Sequence, residues 1–148
     1  MPIKIKFLGG VRTVTGSSHL ITSNKTEILL DAGLFQGHRD EFYKINTTFD
    51  FNPRAIKAVI LSHAHIDHCG NIPSLIKKGL RCKIYTTSAT KDLAALMLED
   101  SGKIQEEDIN YLNKINKRIG LPKREPLYTK KEAIRATKIF RPISYNQK

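Results

Sequence analysis

Apolar and polar residues alternate from the start of the chain, with Ile3, Ile5 and Phe7 separated by Lys4 and Lys6. This period of two predicts a half-buried strand, ended by Gly9-Gly10 and a polar loop over 11–18. Residues 19–21 and 27–30 then predict the two arms of a hairpin around the polar stretch 22–26. Ile28-Leu29-Leu30 is a continuous apolar run, the pattern of a strand buried on both faces. The segment 35–53 keeps no period and is expected to be irregular, whereas 58–61 predicts another strand. After a polar, histidine-rich stretch over 62–70, Asn71-Ile72-Pro73 opens a helix, with proline where the first turn tolerates a missing N–H. Residues 82–86 predict a strand, and Ser88 is the expected N-cap of a long helix beyond it. Leu93, Leu96, Met97, Ile104, Leu112, Ile115 and Ile119 fall at helical spacing. Gly102 and the charged stretch 105–108 are expected to bend or divide that helix, and Gly120-Leu121-Pro122 to end it. Thr129 caps a last helix over 130–137, after which Ile139-Phe140 begin a further element. Strands alternating with helices give an α/β class.

Composition narrows the setting. At 148 residues, the chain is one modest domain. Hydrophobic residues at 40% and charged residues at 26% are ordinary for a soluble globular chain, not a disordered one. No apolar run approaches bilayer length, and Lys4 and Lys6 precede no apolar stretch of a secretory leader. The two cysteines, Cys69 and Cys82, form no disulfide scaffold and fit a reducing cytosol. A cytoplasmic protein without membrane contact is expected. The net charge is 25 − 14 = +11. Such a bias favours polyanionic partners through counterion release, although solvation alone accounts for it equally well. The basic residues are densest from Lys114 through Lys117, Arg118, Lys123, Arg124, Lys130, Lys131 and Arg135 to Lys138.

One segment carries chemistry: Ser62-His63-Ala64-His65-Ile66-Asp67-His68, directly after a predicted strand. By this chain's own composition, a chance His-x-His-x-Asp-His has a probability of roughly 3 in 10,000. In extended backbone, side chains two apart point the same way, so His63 and His65 can grip one metal ion. A turn then brings Asp67 and His68 to a second ion beside the first. Imidazole and carboxylate together suit zinc, with manganese or iron as weaker candidates. Two ions roughly 3.5–4 Å apart can clamp the oxygens of a displacement at phosphorus. A purely structural zinc would call for clustered cysteines, and none are clustered here. Cys69 follows His68 directly, but is expected to pack into the following helix.

On these residues the chain resembles the metallo-β-lactamase superfamily, and more closely its β-CASP branch of RNA- and DNA-processing nucleases. Further stretches carry the resemblance: Phe7-Leu8-Gly9-Gly10, Val14-Thr15-Gly16-Ser17-Ser18-His19-Leu20, the run from Ile28 through Asp31-Ala32-Gly33 to Gly37, and Leu98-Glu99-Asp100-Ser101. The resemblance implies that Asp31 orients the metal-site histidines without ligating. It implies His63 and His65 on one zinc and Asp67 and His68 on the other, with Asp67 also contacting the attacking hydroxide. His19 lies in a stretch that either faces the site or packs as an ordinary histidine. The implied fold is the N-terminal half of an αββα sandwich, a mixed sheet flanked by helices. Residues 1–148 would then be a partial domain, without the second half or the β-CASP cap, because no histidine follows His68.

The implied function is zinc-dependent phosphodiester hydrolysis of RNA, or of single-stranded DNA. A second chain, or a C-terminal part absent from this sequence, would complete the site. Two alternatives stand beside it. One is a metallo-hydrolase of another ester or thioester. The other is a non-catalytic nucleic-acid-binding fragment using the basic run, with Tyr111, Tyr128 and Tyr145 stacking on bases.

Overall fold

The computed structural model describes residues 2–146. Strands β1 (Lys4–Gly9), β2 (Ser18–Ser23) and β3 (Thr26–Leu30) are followed by helix α1 (Arg39–Thr47) and β4 (Ala58–Ile60). The short helices α2 (Ile66–Cys69) and α3 (Ile72–Lys77) lead to β5 (Ile84–Thr86). The long α4 (Ser88–Arg118), α5 (Lys130–Ala136), a single 3-10 turn and β6 (Phe140–Pro142) complete the chain. The six strands lie in the sheet in sequence order. The first three pair antiparallel and β3 to β6 pair parallel, a mixed sheet as expected. Asn24 and Lys25, both at positive φ, make the tight turn between β2 and β3.

Register divides the sheet into two unlike faces. One row across it reads Leu20, Leu29, Val59, Ile84 and Phe140, all buried in the core with Leu75, Ala94 and Leu98 from the helices. The neighbouring row reads Phe7, His19, Leu30, Ile60, Tyr85 and Arg141 on the opposite face. There Phe7 is 62% and Ile60 43% exposed. Thus Leu29 is buried, but Ile28 and Leu30 are only half-buried. The expectation of a strand enclosed on both sides is corrected: the core helices pack on one face only.

Three helix expectations are also corrected. Residues 39–47, expected to be irregular, form α1. Its buried Asn46 holds the segment before it, accepting from the Phe35 N–H at 2.9 Å and donating to the Phe35 and Phe42 carbonyls. The N-cap of α4 is Thr87, whose hydroxyl accepts from Thr90 N, and not Ser88. Gly102 does not divide α4. A Cβ there would stand 2.8 Å from Lys130 N, so glycine is what lets the start of α5 lie against α4.

Helix α5 begins in a capping box, in which Thr129 and Glu132 exchange hydrogen bonds. Partial burial pushes the Glu132 carboxyl up, but the Thr129 N–H and hydroxyl and the Lys77 ammonium together bring it below its ordinary value. The folded value lies below the unfolded one, so this contribution is present at neutral pH and lost as pH falls through the carboxylate range. Glu132→Ala is expected to lower stability by about 1 kcal/mol at pH 7. The difference should close as chemical denaturation is repeated at lower pH.

Candidate metal centre

The parallel pairing of β3 with β4 sets Asp31 beside Ser62 at the carboxyl ends of adjacent strands, where α/β sheets place their ligands. The Asp31 N–H continues the ladder to Ile60 O at 2.9 Å. Leu61 is clamped on its other side, donating its N–H to Tyr85 O and accepting the Thr86 hydroxyl. The chain leaves β4 through Ser62, and the extended His65 occupies the N-cap position of α2.

Helix α2 is a single turn, so its carbonyls lack partners within it. Neighbouring loops supply them. Leu34 N–H donates to Ile66 O, Ser17 N–H to Asp67 O at 2.8 Å and Ala32 N–H to His68 O at 2.8 Å. Gly33 N–H in turn holds Ser17 O. These bonds explain why residues 14–18 and 31–34 accompany the histidine motif: their backbones form its seat.

Asp31 is 4% exposed and adopts φ 59°. Left-handed backbone is uncommon outside glycine and tolerated best by Asn and Asp, and it gathers at functional sites. Here it turns the carboxylate back under the motif. Oδ1 accepts from Ser62 N at 2.8 Å, and Oδ2 accepts from the Ser62 hydroxyl at 2.8 Å and His68 Nδ1 at 2.9 Å. Since a carboxylate accepts, His68 Nδ1 directs a proton at Asp31, and the neutral ring then has its lone pair on Nε2. His68 Nε2 lies 3.6 Å from Asp67 Oδ2. The His63 ring stands between the other two, with centroids 3.9 Å from His68 and 4.8 Å from His65.

The structure therefore brings His63, His65, Asp67, His68 and Asp31 together. Among the described residues, no three His, Cys, Asp or Glu side chains are grouped so as to hold a metal ion as they stand. The donor types nevertheless suit a divalent ion: the His63 ring lies within 4.8 Å of both other motif imidazoles, and His68 stands between Asp67 and the buried Asp31. His19 pairs between Phe7 and Leu30, its ring edge-on to Phe7 at 5.3 Å, and its buried Nδ1 has no hydrogen-bond partner. Cys69 is fully buried and donates to Ala64 O, and burial pushes its thiol up to about 12, which suits core packing and not ligation. Sequence reasoning passed over Ser62, although a hydroxyl directly before the first motif histidine was a visible signal.

Residues 11–101 match the family model described as the metallo-beta-lactamase superfamily. The chain belongs to that superfamily. Ribonuclease TTHA0252 of Thermus thermophilus is 40% identical over 71% of this chain and 24% of its own length. Probable RNase MJ4 of Methanocaldococcus jannaschii is 33% identical over 99% of this chain and 30% of its own. The chain thus spans about a quarter to a third of these relatives. Both relatives are named as ribonucleases, which bears out the resemblance to the RNA-processing branch of the superfamily. Among solved structures, the short form of human tRNase Z aligns over 66% of this chain and 40% of its own, with a TM-score of 0.44 and 20% identity.

Proposed function

We propose that this chain forms the metal-binding N-terminal part of a zinc-dependent ribonuclease of the β-CASP type. The observation that carries the reading is the buried Asp31 carboxylate, which already holds His68 by Nδ1 within a cluster of three histidines and Asp67. In it, His63 and His65 hold one zinc ion, and Asp67 and His68 the other, with manganese or iron as substitutes of weaker fit. Bound metal supplies Lewis acidity and a lowered pKa for water. The protein's own part is to fix the donor geometry, with Asp31 keeping the His68 tautomer and the loop seat holding Asp67. The charge of +11 supports RNA as the polyanion drawn to the site.

Residues 1–148 act in this reading as a partial domain. The partly exposed row through Phe7, His19, Leu30, Ile60 and Tyr85 supports a second layer, from further sequence or a second chain, that covers the sheet and completes the ligand set. Two unpaired cysteines support a cytoplasmic setting. Among the described residues no helix is long and apolar enough to cross a membrane. Tyr128 is withdrawn as a base-stacking residue, because it is fully buried with its hydroxyl on Ser101.

The test is zinc content and RNA hydrolysis of the purified chain beside a His65→Ala, Asp67→Ala double variant. Zinc held by the wild type and lost in the variant, without turnover by the chain alone, is expected. RNA binding that is unaffected by chelators, with no zinc in either protein, would replace this reading with a basic binding fragment.

A further inference from the structure

Asp31 touches His68 directly but not His63, and a single atom lies between it and the second ring. Ser62 Oγ is 2.8 Å from Asp31 Oδ2 and 3.0 Å from His63 Nδ1. A hydroxyl has one proton to give and can accept in other directions. If Ser62 gave that proton to His63, its oxygen and the Asp31 carboxylate would face each other lone pair to lone pair at hydrogen-bond distance. The favourable arrangement has Ser62 donating to Asp31 and accepting from His63. The proton of the neutral His63 ring then sits on Nδ1, which leaves the lone pair on Nε2.

We propose that Ser62 is a positioning residue that carries the orientation set by Asp31 to His63, so that one buried carboxylate fixes the tautomers of two motif histidines. His68 is fixed directly and His63 through the hydroxyl. Both rings are held by Nδ1, and both present Nε2. The Ser62 N–H also bonds Asp31 Oδ1, so the backbone half of the link survives removal of the hydroxyl. That separation makes the hydroxyl testable without dismantling the strand end.

The proposal rests on His63 being a metal ligand only for its effect on affinity, and the tautomer can be read without metal. Ring nitrogens of His63 would be assigned by long-range proton–nitrogen spectra of the metal-free chain, at a pH where imidazole is neutral, for wild type, Ser62→Ala and Ser62→Thr. Zinc affinity would be measured alongside by competition with a chelating dye. Wild type and Ser62→Thr are expected to show His63 protonated on Nδ1, and Ser62→Ala a mixture of tautomers. Zinc affinity is expected to fall about tenfold in Ser62→Ala and to recover in Ser62→Thr. An unchanged His63 tautomer in Ser62→Ala would overturn the proposal, as would a threonine variant that behaves like alanine. A tautomer that shifts as expected in proteins that bind no zinc at all would uphold the relay and overturn the metal-centre reading instead.

Discussion

Asp31→Asn is expected to weaken zinc binding by about 10- to 100-fold. The substitution is nearly isosteric, and asparagine tolerates the φ of 59° held at this position, so the backbone is spared. The amide oxygen can still accept from Ser62 N. The amide nitrogen, however, would face the Ser62 hydroxyl and His68 Nδ1, both of which now donate to Oδ2. The Ser62 hydroxyl can turn to accept from that nitrogen, but the His68 N–H cannot bond it. His68 is then driven to its other tautomer, with the proton on the nitrogen that should meet the metal. The mismatch should also lower stability by about 1–3 kcal/mol, the cost of leaving buried donors unpaired. Zinc competition titration and urea denaturation of the same preparations check both parts. Full zinc affinity in a folded Asp31→Asn protein would remove Asp31 from the site.

A second large effect is expected from Gly33→Ala. A Cβ at Gly33 would lie 1.7 Å from the Asp67 carbonyl oxygen, 2.4 Å from its carbon and 2.7 Å from Ser17 N. All three are backbone atoms, so no rotamer change relieves the clash. The seat must open, and with it the hydrogen bonds that hold α2 to residues 31–34. A loss of more than about 3 kcal/mol is expected, or failure to fold. Gly120→Ala is the control. Its φ of 74° disfavours alanine, but a Cβ there meets nothing within 4 Å, so the cost should be about 1 kcal/mol. Equal midpoints for the two variants in urea denaturation would mean that the Gly33 contact does not matter.

What could be read from the sequence was local. The alternation at Ile3, Ile5 and Phe7 and the hairpin around Asn24-Lys25 reflect pairing between near neighbours, and the motif packs its donors into six positions. What could not be read depended on distant partners. Helix α1 lacks a side-chain cap, and among its described residues the most buried is the polar Asn46, whose partners are the Phe35 and Phe42 backbones. The seam of α4 runs through Ala94, Leu98, Gly102, Ile109 and Asn116, while the larger Leu93, Leu96, Met97 and Ile104 are exposed. A glycine and an asparagine in that seam look like interruptions until α5 is seen against Gly102 and the Pro122 carbonyl against the Asn116 amide. Ser62 needed Asp31, 31 positions earlier, to acquire a role.

The strand order of the sheet has a kinetic side. Because spatial order follows chain order from β1 to β6, each strand meets its partner as soon as the intervening segment is made. No strand waits for a place between two others, and the growing sheet always adds at one edge. Topologies whose contacts close between successive elements fold faster than those that thread distant segments together. On a ribosome, β1 to β5 would therefore emerge in their pairing order ahead of α4, whose Ala94 and Leu98 complete the core beneath them.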